Sequence, residues 1–346
     1  MNRLQKVIFF VRIAEPINLR LMGFYRDDIR ALEELGFEVE VVTRVRDLPR
    51  HRADLVYAWW FGFGFFAVLW ARLLGRPAIL TGAVHTVKGG GIDDWPWHKR
   101  LLMKAALRLA TRTLFISRSD LARLGSTHAT APSVAYCAVD LKSHRPGTAP
   151  VQKFVLSIAH ILPESIHRKM ILESISAFAL FHRSHPDFRY VIVGVHGEGL
   201  MAVRAHIAAL GMDDVVDLRG RVSFDTKLEL LQTATAYLQP SRCEGFGLAI
   251  LEAAACGCPV VTNRETCIRE INGEAALYGD SEEELAEKLA ALANDAALRA
   301  QMCERGLANV QRFSYEARRE TLRAVIQSVG VLGGAAPAPL TGRLRA

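Results

Sequence analysis

Residues 238–263, LQPSRCEGFGLAILEAAACGCPVVTN, constrain the fold more than any other stretch. Ala236, Tyr237 and Leu238 are apolar and run into Gln239-Pro240-Ser241, the pattern of a buried strand ending in a loop. Gly245 and Gly247 flank Phe246 and let the backbone turn tightly and approach a ligand with its N–H groups. An Ala-rich apolar run follows and stops at Gly257-Cys258-Pro259, and Val260-Val261-Thr262 has β character. The order strand, loop, helix, strand is one half-turn of a doubly wound parallel sheet.

The same stretch carries two carboxylates, Glu244 and Glu252. The expected helix, from about Leu248 to Cys256, points its N-terminus at the glycine turn. Free N–H groups and the positive end of the helix dipole suit an anion such as a diphosphate there. Carboxylates beside such an anion repel it unless they serve other groups. An ionised carboxylate only accepts hydrogen bonds, so sugar and ribose hydroxyls are natural recipients. Two solvated glutamates on either side of a glycine turn are the alternative on spacing alone.

The stretch resembles the E-x7-E signature of the family-4 glycosyltransferases, whose pattern runs roughly P-S-x-x-E-G-F-G-L-x-x-L/I-E-A-x-A-x-G-x-P-V-V. The matching positions are Pro240, Ser241, Glu244, Gly245, Phe246, Gly247, Leu248, Leu251, Glu252, Ala253, Ala255, Gly257, Pro259, Val260 and Val261. Ala249 departs from it, because proline is usual there. The resemblance implies an α/β GT-B fold, two Rossmann-like doubly wound domains facing across a cleft. It also implies a retaining, metal-independent transferase that takes a nucleotide-sugar donor as substrate and needs no cofactor.

Length and charge fit this expectation. A chain of 346 residues has room for two domains with ample cores. The net charge of +7 is uneven: residues 1–150 hold 22 Lys and Arg against 13 Asp and Glu, and residues 151–346 hold 21 against 23. A basic first half makes an anionic membrane surface a candidate partner and leaves nucleic acid disfavoured beside the transferase motif. Six cysteines show no disulfide spacing, and no secretory signal precedes the first strand, so a cytoplasmic location is expected, with peripheral attachment to the inner face of the cytoplasmic membrane as its extension.

In chain order, Lys6 to Val11 reads as a first strand. A helix with Phe24, Ile29, Leu32 and Leu35 on its apolar face follows, then Gly36 and a second strand. The loop at 13–23 is poor in glycine compared with the family; Arg12 and Arg20 are its candidate anion contacts. Residues 55–71 carry no charge, but Gly62 and Gly64 interrupt them, so strand, aromatic turn and buried helix are expected rather than a membrane span. Trp59, Trp60, Phe61 and Phe63 in that turn are candidates for core packing or for contact with lipid headgroups or an apolar acceptor.

His85 ends the next strand, where parallel sheets place ligands. The resemblance makes it the first domain's candidate catalytic residue. Residues 98–111 read as a basic amphipathic helix with Leu101, Leu102, Ala105 and Leu109 on its apolar face, suited to a membrane surface or to ordinary packing. Past the linker at 144–150, the family's Gly-Arg step reads Ala159-His160, without its arginine. The resemblance then implies Lys169 as a ligand of the donor diphosphate and Arg168 as a replacement for the missing arginine. It places Val222 near the nucleotide base.

The resulting expectation is a first domain at 1–147, a nucleotide-sugar domain at 148–313, a helix at 314–332 crossing back to the first domain, and a disordered tail at 333–346. Glu244 and His85 are the catalytic candidates. Arg168, Lys169, Gly245, Phe246, Gly247, Leu248, Glu252 and Val222 are the donor-binding ones, with no metal ligand. The acceptor is expected to be a cell-envelope glycan or lipid-linked saccharide. A non-catalytic nucleotide-sugar or anionic-polymer binding module is the rival. A metal-dependent transferase would want a D-x-D site, and the sequence offers only adjacent aspartates such as Asp27-Asp28.

Overall fold

The computed structural model describes residues 5–13, 19, 22–83, 95–125 and 128–332. These residues form two compact units. The first gathers described residues up to 83, from 95 to 138 and from 315 on; the second runs from Val139 to Ser314.

The first unit is built on a six-stranded sheet in the order β2-β1-β3-β4-β5-β6. Its strands are β1 Gln5–Phe10, β2 Phe37–Val42, β3 Leu55–Trp59, β4 Ala78–Gly82, β5 Arg112–Phe115 and β6 Pro132–Val134. All pair in parallel. β3 and β4 are buried throughout, as strands covered on both faces must be. Helices α1 Gly23–Glu34, α2 Gly64–Leu73 and α3 Trp97–Leu109 connect them. The uncharged run at 55–71 is thus β3, a turn and most of α2. In the turn, Trp59 and Phe61 are buried, Trp60 is half-buried and Phe63 is exposed. No helix among the described residues is long and apolar enough to cross a membrane.

Two faces differ from the sequence expectation. On α1 the buried residues are Tyr25, Asp27, Asp28, Ala31 and Leu32, while Phe24 and Ile29 are only half-buried. On α3 the buried residues are Met103, Ala106 and Leu107; Leu101, expected on the apolar face, is 59 % exposed. Hydrophobic spacing marks a helix, but the neighbouring elements decide which stripe they cover.

Asp28 is buried because of the helix at the far end of the chain. In α12, Tyr315–Ser328, Arg318 meets Asp28 through Nε at 2.8 Å and Nη2 at 2.9 Å, and it also donates to the carbonyls of Ala135 and Tyr136. Tyr57 Oη at 2.6 Å and Trp59 Nε1 at 3.1 Å complete the shell of Asp28. Every charge in this buried cluster has a partner, the condition under which a buried ion pair is tolerated.

The second unit has the sheet order β12-β11-β10-β7-β8-β9, again all parallel. The strands are β7 Gln152–Ile158, β8 Arg189–Val193, β9 Val216–Gly220, β10 Ala234–Leu238, β11 Val260–Thr262 and β12 Ala276–Tyr278. The helices are α4 Pro163–Arg168, α5 Ile171–His182, α6 Leu200–Ala209, α7 Phe224–Thr233, α8 Leu248–Ala255, α9 Thr266–Asn272, α10 Glu282–Asn294 and α11 Ala296–Val310. Val155, Ile175, Phe178, Tyr190, Leu238 and Leu289 lie at the heart of its core. All six cysteines are free thiols, and burial pushes those of Cys137 and Cys256 up to about 12.

Candidate active site

From β7 the second sheet grows through β8 and β9 to one side, and through β10, β11 and β12 to the other. Such a reversal opens a crevice at the carboxyl ends of the two central strands, where doubly wound sheets bind ligands. The loops leaving β7 and β10 carry most of the residues singled out in the sequence.

The loop after β7 is held in a defined shape. α4 begins with Pro163 after the extended Leu162 and ends at Arg168. Met170 then adopts a left-handed conformation, φ 47° and ψ 46°. This costs a residue with a side chain roughly 1–2 kcal/mol. The turn is fixed by Ser174, whose backbone N and Oγ both reach the Met170 carbonyl, at 2.9 and 2.8 Å. Arg242 N donates to the Arg168 carbonyl at 2.8 Å and ties this loop to the one after β10. Gly194, at the end of β8, permits the close approach: a Cβ there would stand 2.0 Å from the Ala159 carbonyl oxygen.

Arg168 and Lys169 therefore converge on Glu244. Lys169 Nζ lies 3.0 Å from Glu244 Oε1, and Arg168 Nη1 lies 3.1 Å from Oε2. Gln239 Nε2 and Ser241 Oγ also donate to Oε1, at 3.3 and 3.4 Å. The Glu244 side chain is only 8 % exposed. Two cations around one carboxylate leave a surplus positive charge at the crevice, which favours an anion.

Glu252 forms a second cluster on α8. Lys227 Nζ, from α7, is 2.6 Å from its Oε2, and His144 Nε2 is 3.6 Å from its Oε1. His144 Nδ1 lies 3.2 Å from the Asp140 carbonyl, which can only accept, so the ring proton sits on Nδ1. His144 Nε2 then offers a lone pair, is buried and has no hydrogen-bond partner among the described residues. Burial lowers the pKa of His144 against the opposing pull of Glu252. Two acceptors facing each other need a donor, and a ligand hydroxyl is one. Both carboxylates lie near β10: burial pushes the Tyr237 phenol well above its ordinary value, and Glu252 and Glu244 push it the same way.

Between the clusters runs the glycine turn. Gly247 is left-handed, φ 84°, and directly precedes α8, whose first turn has no side-chain cap. A Cβ at Gly247 would meet Ile271 Cδ1 at 3.0 Å. Gly245 is buried, Leu248 half-buried, and the Phe246 ring packs edge-on against Phe313 in the core at 5.7 Å. Val222 lies half-buried between β9 and α7. His85 and Arg20 fall outside the described residues.

The structure adds residues that local sequence patterns do not mark. Lys227, His144 and Gln239 belong to no motif, yet all reach the two glutamates. His160 stands where the family resemblance expects an arginine. It is exposed, and its Nδ1 accepts from Val195 N at 3.1 Å, which leaves an Nε2–H to donate. Partial burial, then Lys169 and Arg221, lower its pKa. The absent arginine could have flagged this position. Among the described residues no three His, Cys, Asp or Glu side chains gather closely enough to hold a metal ion.

Comparison with known proteins agrees with this fold. The family model of glycosyl transferases group 1 matches residues 143–308. The D-inositol 3-phosphate glycosyltransferase of Arthrobacter sp. is 27 % identical over 82 % of this chain and 73 % of its own length. The N,N'-diacetylbacillosaminyl-diphospho-undecaprenol alpha-1,3-N-acetylgalactosaminyltransferase of Campylobacter jejuni is 25 % identical over 68 % of this chain and 66 % of its own. Among solved structures, Anabaena HepE in complex with UDP and glucose superposes with a TM-score of 0.76 at 19 % identity, over 94 % of this chain and all of that one. Sucrose-phosphate synthase from Thermosynechococcus elongatus gives 0.72 at 15 % identity, over 94 % of this chain and 99 % of that one. The fold is GT-B, and residues 143–308 match the family model of glycosyl transferases group 1.

Proposed function

We propose that the protein moves a sugar from a nucleotide-sugar to a saccharide or lipid-linked acceptor, with retention of anomeric configuration and without a required metal. The observation that carries this reading is the convergence of Arg168 and Lys169 on Glu244 at the crevice between β7 and β10. A nucleotide diphosphate brings more negative charge than Glu244 and competes for both cations. Glu244 is then released to accept from hydroxyls of the donor sugar. As the C1–O bond to the diphosphate breaks, Lys169, Arg168 and the α8 N-terminus stabilise the charge on the leaving group. A new C1–O bond forms to the acceptor hydroxyl, whose proton passes to the departing diphosphate. Glu252, with His144 Nε2 facing it at 3.6 Å, suits a ribose hydroxyl. The names of relatives support the class: one acts on an inositol phosphate, another on a diphospho-undecaprenol-linked sugar, and the structural neighbour HepE holds UDP and glucose.

Peripheral attachment to an anionic membrane is part of the proposal. It is supported by α3, where Trp97 and Leu101 are 71 % and 59 % exposed beside Lys99, Arg100, Lys104 and Arg108. The test is a panel of UDP-, GDP- and ADP-sugars with EDTA present, read out as transfer, hydrolysis and binding. Turnover of one donor with a retained product anomer by NMR is expected. Binding without turnover would support the rival binding module instead, and loss of activity in EDTA would refute the metal-free route.

A further inference from the structure

The carboxyl edge of the first sheet carries a second concave site. There, too, the strand order reverses around β1, with β2 on one side and β3 on the other. The segments leaving these three strands enclose a cavity of about 870 Å³ lined by Arg12, Thr43, Arg44, Arg46, Phe63 and Phe66, among others. Its volume lies in the range of roughly 300–1,000 Å³ common for small-molecule sites.

The lining is unusual in its charge. Among the described residues three guanidinium groups share it, and no carboxylate does. Asp47, one residue beyond Arg46, is engaged with Arg50 at 3.0 Å. Like charges gathered without a counter-charge repel one another, and an anion relieves that repulsion. Guanidinium groups match phosphate oxygens in planar, two-point fashion. The cavity also has an apolar side. Phe63 is 39 % exposed and Phe66 half-buried, and the Arg12 guanidinium lies 3.9 Å from the centre of the Phe63 ring. That stacking holds one cation against an aromatic ring that is itself partly exposed.

We propose that this cavity binds an amphiphilic phosphate, a phosphate or diphosphate joined directly to an apolar chain, with Arg12, Arg44 and Arg46 on the oxygens and Phe63 and Phe66 on the first carbons. As a binding site it stands on its own geometry. As the place of the acceptor it rests on the transfer reading above.

Isothermal titration of the full chain with farnesyl diphosphate and with inorganic pyrophosphate tests the proposal. Saturating UDP is present, to keep either probe from the site around Lys169. Farnesyl diphosphate should bind at least about tenfold more tightly than pyrophosphate, because only it fills the apolar side. Arg44→Glu with Arg46→Glu should weaken it by at least about tenfold, and Phe63→Ala should narrow the gap between the two probes. Arg46→Gln serves as a milder variant should the double change fail to fold, with a weakening of about threefold or more expected. Competition by vesicles containing phosphatidic acid would assign the phosphate to a bilayer lipid; binding without such competition would assign it to a lipid-linked acceptor. Absence of farnesyl diphosphate binding, equal affinity for both probes, or unchanged affinity in a folded arginine variant would overturn the site. Turnover of nucleotide-sugars by the wild-type protein tests the transfer reading separately, so either can fail alone.

Discussion

Lys227 holds Glu252 through a 2.6 Å contact between Nζ and Oε2, which leaves Oε1 facing the unpartnered Nε2 of His144. If that gap receives a ribose hydroxyl, the contact is remote from the reacting carbon and serves ground state and transition state alike. Glu252→Gln should therefore raise the donor KM by about tenfold while kcat falls far less. Initial rates over a range of donor concentrations decide it; an equal fall in kcat with KM unchanged would remove the ribose assignment.

Lys169 should behave differently. Its charge gains most as the diphosphate leaves, so Lys169→Ala should lower kcat at least about tenfold. Arg168 still compensates Glu244 in that variant, so thermal unfolding should move little. Removing both cations strands a carboxylate that is 8 % exposed, and that double variant should lose about 3–5 kcal/mol of stability. Urea denaturation monitored by circular dichroism separates the two outcomes.

The Asp28–Arg318 pair gives a second large expected stability change. Arg318→Met leaves Asp28 buried and uncompensated and should cost about 3–5 kcal/mol. Adding Asp28→Asn should restore part of that loss, because the uncompensated carboxylate is then gone. A double variant as weak as the single one in urea would show that the guanidinium acts by shape alone.

Acidification should destabilise the second unit through His144. Its folded pKa lies below the ordinary histidine value, so near pH 6.5 the unfolded chain takes up the proton first. Stability is therefore intact above that pH and falls as pH drops below it, by at most about 1.4 kcal/mol per pH unit for one proton. His144→Asn should flatten the slope between pH 7 and 5. An unchanged slope would show that another group governs it.

Membrane attachment through α3 predicts co-sedimentation with phosphatidylglycerol vesicles at low salt, lost as salt is raised. Trp97→Ser with Leu101→Ser should abolish it without unfolding the protein, because both side chains are largely exposed. Retained sedimentation in that variant would place the contact elsewhere.

The parts that were legible in the sequence are those written locally. Glycine, proline and apolar runs at 238–263 foretell β10, the turn, α8 and β11, because each signal acts on its own neighbours. Arg168, Lys169 and Glu244 were named from the family pattern, and the structure brings them within 3.1 Å. Lys227 and His144 were not foreseen, since their approach to Glu252 depends on how α7 and the segment after β6 pack, and no spacing records that. Asp28 and Arg318 are 290 positions apart and carry no mutual signal at all. The stripe on α3 was misplaced for a related reason: periodicity shows that a helix is amphipathic, not which apolar residues its neighbours leave uncovered.

The helix bearing Arg318 has a consequence for how the protein is made. The described residues of the second unit form one continuous run, Val139 to Ser314, and its last strand and helices emerge from a ribosome before α12 does. The first unit begins the chain, yet its buried Asp28 has no guanidinium partner until α12 is synthesised. Translation order and folding order are thus reversed for this pair: strands that precede the second unit in the sequence must wait, with an incomplete core, for a helix that follows it.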